Sequence, residues 1–231
     1  MITKIKALFN SPDNFQDPLV NHKGSEFEIN NWVISEFVVK KLVPVVGYHP
    51  FPLNELMLMA SAVCRFRPNY IFEWGTHIGK SARIFYETAQ AFQVDCMIHS
   101  IDLPDDVSHT EHPHEQRGML VKNLEKVKLH QGDGLSKSLE LYKAIQDDSC
   151  VLFFVDGDHS YESVHRELSS ILREVKNPVV LLHDTFYQSE ESKYNVGPYK
   201  AIRDIVKEEK GIYNQLSTST GLPGMTLIYK R

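Results

Sequence analysis

From residue 50 onward, the sequence alternates between short apolar runs and longer stretches in which apolar residues recur every three or four positions. Side chains of a strand alternate between two faces, whereas those of a helix return to one face every three or four residues. The short runs therefore predict strands and the longer stretches predict helices. Such alternation is typical of a doubly wound, Rossmann-like α/β sheet with mostly parallel strands. The five predicted parallel strands lie within NYIFEW (69–74), CMIHSID (96–102), KVKLHQGD (126–133), CVLFFVDGD (150–158) and NPVVLLHD (177–184).

The two ends of the chain depart from this pattern. YNQLSTS (213–219) and GMTLIYKR (224–231) predict two further strands, and the glycines and proline between them predict a hairpin. We therefore expect a mostly parallel seven-stranded sheet with a C-terminal antiparallel hairpin strand. Residues 1–49 predict a loop and a helical extension, and residues 50–231 form the predicted main domain.

The N-terminal extension carries an apolar stripe at helical spacing, which must be buried against another surface. We expect it to pack over the carboxyl-end face of the sheet, where a substrate pocket would lie, or against a second copy of the chain. The stripe comprises Trp32, Val33, Phe37 and Val38.

Composition narrows the class of protein. A chain of 231 residues with 42% hydrophobic content can bury a sizeable core. Its formal charge of −5 and pI near 6.1 argue against nucleic acid or an anionic membrane as partner. The three cysteines lie far apart and no long apolar run is present, so we expect a soluble cytoplasmic protein with reduced thiols. A small molecule is the expected partner, and a homodimer is an open alternative.

Acidic residues collect at the ends of the predicted strands. Ligands of doubly wound sheets bind at the carboxyl ends of the strands, near the point where the strand order reverses. A single acid in a turn would mean little, but five successive strand ends carry one here. They are Glu73, Asp102, Asp133, Asp156 and the pair His183–Asp184.

The first of these turns, FEWGTHIGKS (72–81), resembles a nucleotide-binding turn with one difference. Gly75 and Gly79 allow a tight turn into a helix N-terminus, but Glu73 stands where the dinucleotide fingerprint has its first glycine. A carboxylate there would repel a pyrophosphate and favour a cationic ligand. Asp102, at the end of the next strand, is placed to accept hydrogen bonds from ribose hydroxyls. S-adenosylmethionine is a cationic nucleoside without phosphates and meets both conditions.

The segments YIFEWGTHIGKSA, IHSIDLPD, LHQGDG, FFVDGDHSY and VVLLHDT resemble, in this order, the motifs of the class I S-adenosylmethionine-dependent methyltransferases. The likeness covers roughly residues 50–231. It is greatest to the small O-methyltransferases that include the cephalosporin-hydroxylase-like and rhamnosyl O-methyltransferase group. The resemblance implies that Asp102 holds the ribose and that Gly132 and Asp133 lie beside the adenine. The methionine end would be lined by Glu73, Gly75, Thr76, Gly79 and Ser81.

The same resemblance implies a divalent metal, such as magnesium or manganese, held by Asp156, His183 and Asp184. Such a cation lowers the pKa of a substrate hydroxyl. Relatives often carry an acid at the position of His183. An imidazole there favours manganese, iron or zinc over magnesium, or it leaves the metal unbound.

His159 is the candidate general base, acting beside Asp156 in the catalytic pair. It stands where catechol-type relatives place a lysine, and a histidine titrates near neutral pH. In the alternative interpretation, His159 caps the helix that begins near Ser160, or orients Asp156. Asp158 is interpreted as a helix cap.

These observations predict a metal-assisted O-methylation of a small-molecule hydroxyl by an S-adenosylmethionine-dependent methyltransferase. A metal-dependent hydrolase using Asp156, His159, His183 and Asp184 is one alternative. A nucleoside-binding module without catalysis is another. The histidine-rich stretch SHTEHPHEQ (108–116) matches no zinc motif and predicts an exposed loop at the substrate entrance.

Overall fold

The computed structural model describes residues 15–19, 27–107, 116–145, 149–209 and 211–231. The histidine-rich stretch therefore lies almost entirely outside the described residues. Among those described, no helix combines the length and apolar character needed to cross a bilayer. The strands are β1 (Tyr70–Trp74), β2 (Met97–Asp102), β3 (Val127–Gln131), β4 (Val151–Val155), β5 (Pro178–His183), β6 (Tyr213–Ser217) and β7 (Met225–Lys230).

The seven strands form one sheet in the order β3-β2-β1-β4-β5-β7-β6. The pairs among β1 to β5 are parallel, and β7 runs antiparallel to both β5 and β6. The chain moves outward from β1 to β3 and then returns to the other side of β1 with β4. The strand order therefore reverses between β1 and β4, which is where such sheets bind ligands. The predicted doubly wound sheet with an antiparallel C-terminal hairpin is confirmed.

Helices cover both faces of the sheet. One face is covered by α1 (Asn31–Phe37), a π-helical turn (Val38–Leu42), α2 (Val43–Val46), α3 (Leu53–Phe66) and α4 (Lys80–Ala91). The other face is covered by α5 (Gly134–Ala144), α6 (Tyr161–Glu174) and α7 (Val196–Glu208). Strand β4 is buried along its whole length because Leu152 and Phe154 face the first layer while Phe153 and Val155 face the second.

The N-terminal extension packs differently from the expectation. Ile34, Phe37 and Val38 are buried on one helical face and contact the layer formed by α3 and α4. Trp32 lies two positions before Ile34, which places it on the opposite side of the helix, and it is 87% exposed. Trp32 therefore does not belong to the buried stripe, whose other residues pack within the helical layer on one face of the sheet.

Helix α3 does not separate apolar and polar residues cleanly between a buried and an exposed side. Leu53 at its start is 48% exposed, whereas Glu55 is completely buried. The helix lies between the sheet and the N-terminal helices and is therefore buried on most of its surface. This burial places an acid within the core layer, next to the carboxyl end of β5.

Candidate active site

A cavity of about 1120 Å³ opens along the carboxyl ends of β1 to β5. Its volume exceeds that of a typical ligand pocket, so a nucleoside and a second small molecule can be accommodated together. The segment between α2 and α3 closes one side, where Lys80 donates a hydrogen bond to the carbonyl of His49. Predicted site residues that line the cavity are Gly75, Thr76, Ser81, Asp102, Gly132, Asp133, Asp156, His159, His183 and Asp184.

Glu73, predicted to face a cationic ligand, is completely buried beneath the turn and does not line this cavity. Its carboxylate accepts hydrogen bonds from the hydroxyls of Ser81 (2.6 Å) and Ser100. The hydroxyls of Thr76 and Ser100 are 2.7 Å apart. Because the Ser100 hydroxyl donates its proton to Glu73, Thr76 is the donor in this second hydrogen bond. Burial raises the pKa of Glu73 to about 7, although these serine hydroxyls lower it. In this structure, Glu73 organises the turn from below.

Residue 75 must be a glycine because the end of strand β4 lies directly against it. Its φ of +88° lies in the left-handed region, and a Cβ atom there would stand 2.3 Å from the carbonyl oxygen of Asp156. Gly79 also has a positive φ, of +85°, and immediately precedes α4. The two glycines therefore let the turn approach β4 and lead directly into a helix.

Asp102 lines the cavity at the end of β2 and is held in place by three donors. Its carboxylate accepts from the backbone N–H groups of His77 (3.2 Å) and Leu103 (2.9 Å), and Arg117 Nε lies 3.2 Å from Oδ2. A carboxylate offers about four acceptor sites, so a ribose hydroxyl could still be accommodated. Arg117 also pairs with Asp105. The sequence analysis did not identify Arg117, because its turn carries no periodic pattern.

Asp133, at the end of β3, caps helix α5. Its Oδ1 accepts from the Ser136 backbone N–H at 2.9 Å and from the Ser136 hydroxyl at 2.6 Å. Arg166 approaches the other oxygen at 3.3 Å. Burial acts to raise the pKa of Asp133, but the bonds from Ser136 and the charge of Arg166 outweigh it and lower the pKa.

At the ends of β4 and β5, the three predicted metal ligands converge. One ligand atom each from Asp156, His183 and Asp184 lies within 4.8 Å of the others. His183 Nδ1 is 3.0 Å from Asp156 Oδ1 and 3.3 Å from Asp184 Oδ2. The predicted convergence of these three side chains is therefore present.

The convergence depends on an unusual backbone conformation. Successive residues of a strand point to opposite faces, so His183 and Asp184 could not meet if the strand continued. Asp184 has a φ of +54°, in the left-handed region that non-glycine residues seldom adopt. This turn brings its carboxylate back towards His183. The three side chains therefore meet only because Asp184 adopts this left-handed conformation.

The other side of His183 contacts Glu55, a residue that the sequence analysis missed. Its Oε2 lies 3.1 Å from His183 Nε2, and its Oε1 accepts from the Gly224 backbone N–H at 2.8 Å. The ring of Phe51 stands edge-on to the imidazole at 4.8 Å between centroids. A signal was present in the sequence, because Glu55 is an acid within a helix composed mainly of apolar residues.

His159 faces the same carboxylates from the start of α6. Its Nε2 is 3.2 Å from Asp184 Oδ2 and 3.8 Å from Asp156 Oδ1. Ser160 caps the helix by accepting from the Ser163 N–H, so His159 is not the cap. Asp158 accepts from the Ser160 and Ser163 hydroxyls, each at 2.7 Å, and thus supports the cap.

The two histidines balance the charge of the carboxylates. Burial alone would raise the pKa of Asp156, but His183 and His159 hold it well below its usual range. Burial lowers the pKa of His183, yet Asp156, Asp184 and Glu55 raise it well above its ordinary value. Asp156 and Asp184 likewise raise the pKa of His159 despite partial burial. The positive charge at this cluster is therefore carried by imidazole protons.

Residues 72–185 match a family described as a methyltransferase domain. A comparison with curated proteins finds no match. One similar solved structure is the methyltransferase PaMTH1 of Podospora anserina, bound to S-adenosylhomocysteine. It is 16% identical to this chain with a TM-score of 0.54, and the match covers 100% of this chain and 95% of that one. The O-methyltransferase TomG of Streptomyces achromogenes, involved in tomaymycin synthesis and in complex with S-adenosylmethionine, is 14% identical with a TM-score of 0.54, over 98% and 96% of the chains. A structure described as cmcI-D160 Mg-SAM is 13% identical with a TM-score of 0.51, over 100% and 96%.

The sheet order and the cavity at its reversal point agree with the family match. Residues 72–185 are similar to a methyltransferase domain, and the chain shares its fold with solved structures of methyltransferases. These findings support an enzyme of this kind and favour the methyltransferase hypothesis over the hydrolase and the non-catalytic alternatives.

Proposed function

We propose that this methyltransferase transfers the methyl group of S-adenosylmethionine to a hydroxyl oxygen of a small molecule, assisted by a divalent metal. The observation that carries this proposal is the convergence of Asp156, His183 and Asp184 at the wall of the cavity. Two of the similar structures give support, since one is an O-methyltransferase and another is described with magnesium and S-adenosylmethionine.

The donor set suits a divalent cation. Two carboxylate oxygens and an imidazole nitrogen favour manganese, iron or zinc over magnesium. Asp156 and Asp184 raise the pKa of His159 and His183, so a bound cation would replace the imidazole protons as the positive charge that the carboxylates face. When bound, the metal supplies Lewis acidity that lowers the pKa of a hydroxyl.

The residues of this chain bind the nucleoside and take up the proton. The turn after β1 and Asp102 hold the nucleoside, with Gly132 and Asp133 at its base end. His159 is half-exposed towards the cavity. With a cation held by Asp156 and Asp184, these carboxylates would no longer stabilise a proton on His159, and its neutral imidazole can then accept the proton that the hydroxyl releases. Asp184 orients the imidazole of His159 across their separation of 3.2 Å. The hydroxyl oxygen then bonds to the methyl carbon as the bond from carbon to sulfur breaks, leaving S-adenosylhomocysteine.

The test uses calorimetric titration of the full chain with manganese and with S-adenosylhomocysteine. We expect Asp156→Asn to abolish manganese binding while S-adenosylhomocysteine binds within about twofold of the wild type. Turnover with a panel of catechols and sugars should fall by about 10²–10³-fold, as when one group that stabilises charge in the transition state is removed.

The matched control is Asp133→Asn, which makes the same change in the same cavity but away from the metal ligands. We expect it to leave manganese affinity unchanged. Full methyl transfer in excess chelator, or unchanged manganese affinity in Asp156→Asn, would reject the metal and leave His159 as the sole base.

A further inference from the structure

Glu55 is an acid without solvent contact that reaches the candidate metal site from behind. It lies in the first turn of α3, more than a hundred residues before the strand that it contacts. Its two oxygens are divided between His183 Nε2 and the Gly224 backbone N–H. Neither contact faces the cavity, and Glu55 does not line it. Glu55 therefore acts on the site only through His183.

The contacts of Glu55 determine which nitrogen of His183 carries a proton. An ionised carboxylate can only accept a hydrogen bond, so the imidazole must present an N–H at Nε2. Nδ1 faces the carboxylates of Asp156 and Asp184, so both ring nitrogens present an N–H while no cation is bound. A ring that gives up one proton to a cation keeps the proton on Nε2, where Glu55 accepts it, and presents the lone pair of Nδ1. Histidines that bind metals commonly donate their other ring N–H to a carboxylate in this way.

The orientation of the ring is fixed as well. Oε1 of Glu55 is held by Gly224 in the turn of the β6–β7 hairpin, and Asn54 donates to the Thr220 hydroxyl at 3.0 Å in the same turn. Phe51 packs edge-on against the imidazole. The hairpin, the start of α3 and the segment before it therefore hold Glu55 and His183 in one arrangement.

We propose that Glu55 is a positioning residue that keeps the proton of His183 on Nε2 and thereby presents Nδ1 as the ligand atom. This inference rests on the proposed metal-assisted function. It explains how a histidine can be a metal ligand at a position where relatives often carry an acid. The carboxylate is then supplied by Glu55, which contacts the histidine on the side away from the metal.

The first measurement is an imidazole ¹⁵N–¹H correlation spectrum of the metal-free wild-type protein, recorded at a pH high enough that His183 keeps a single ring proton. The His183 signals are identified by their absence in His183→Gln. We expect that single proton on Nε2. A His183 ring protonated on Nδ1 alone overturns the inference, and this test needs no variant of Glu55.

The second measurement is a double-mutant cycle of manganese affinity. In Glu55→Gln the carbonyl can still accept from Gly224, which leaves the NH₂ group facing Nε2 and favours the wrong tautomer. We expect manganese binding to weaken by about 10–100-fold. In the His183→Asp background no tautomer has to be selected, so the same Glu55→Gln change should weaken manganese binding less than twofold.

An equal loss in both backgrounds would show a merely structural role and overturn the inference. Glu167→Gln is the matched control, because Glu167 is also a buried acid but contacts neither His183 nor its partners. It should leave manganese affinity unchanged. If the wild-type protein binds no manganese, the metal-assisted function fails on its own, and the spectrum alone decides whether Glu55 positions His183.

Discussion

The acids on the β1–β3 side of the cavity and those on the β4–β5 side have different partners. Glu73, Asp102 and Asp133 are bonded mainly to hydroxyls and backbone N–H groups, with arginines at the edge. On the β4–β5 side, Asp156 and Asp184 face the imidazoles of His159 and His183. Hydroxyl and amide donors keep the same charge at any neutral pH. Imidazoles can lose a proton, so only the second set can exchange positive charge with a bound cation.

The comparison shows how one cavity can accommodate two tasks. A side that holds a nucleoside needs fixed hydrogen-bonding groups, and neutral donors with a capped helix provide them. A side that activates a hydroxyl must change its charge during turnover. The following predictions test this division, beginning with the largest expected effect.

Glu73 limits the comparison to the cavity wall, because this acid of the β1–β3 side is buried beneath the turn and titrates near neutral pH. Its pKa of about 7 lies above the ordinary value, so the folded state retains a proton that the unfolded state has released. The resulting stability is fully present below the ordinary pKa and is lost as the pH rises through 7. The contribution is about 3 kcal/mol over the whole shift. In Glu73→Gln we expect the fall in unfolding free energy between pH 5 and pH 8 to be smaller by about 2–3 kcal/mol.

Denaturant unfolding of both proteins at each pH provides the measurement. His159 and His183 titrate with the same sign in both proteins, so their contribution cancels in the difference. Parallel pH profiles for the two proteins would show that Glu73 does not change its protonation on folding.

Asp102 tests whether the fixed donors leave room for a ligand. Asp102→Ala should weaken S-adenosylhomocysteine binding by about 1–3 kcal/mol, the usual loss of a charge-assisted hydrogen-bond partner. NAD should show no comparable affinity for the wild type. Asp105→Ala removes the other carboxylate that pairs with Arg117 and serves as the matched control. If the two variants lose the same affinity by calorimetry, the effect operates through Arg117 and not through the ribose.

Asp158 tests whether the role of an acid depends on its hydrogen-bond partners or on the side of the cavity where it lies. It lies on the β4–β5 side, but within the described part of the chain its hydrogen bonds come from Ser160 and Ser163, so it supports the cap of α6. Asp158→Ala should lower the unfolding free energy by about 1 kcal/mol, with manganese affinity unchanged. A loss of manganese binding without a change in stability would move Asp158 into the metal site.

The fold was predictable because its signals are local. The apolar runs of β4 and β5, the helical face of α6 and the hairpin turn each depend on residues close in sequence. The strand-end acids were predictable for the same reason, since each directly follows or ends its strand.

The missed features depend on contacts between distant segments. Glu55 meets His183 only because α3 packs under the end of β5, and Trp32 is exposed only because of the rotation of α1. The positive φ of Asp184 is imposed by the loop that follows β5, where Thr185 and Phe186 donate to the carbonyls of Gly224 and Pro223. No periodic pattern encodes such contacts.

The close approach of Gly75 to the carbonyl of Asp156 has a geometric consequence for a two-substrate reaction. In the proposed reaction, the turn after β1 would hold the methyl donor and the end of β4 would carry a group that binds the acceptor; these two segments touch through one residue without a side chain. Gly75 would then act as a spacer that sets the distance between the two reactants. A single added methyl group would push them apart by a fraction of their in-line distance, and displacements of about 1 Å can cost 10²-fold in rate.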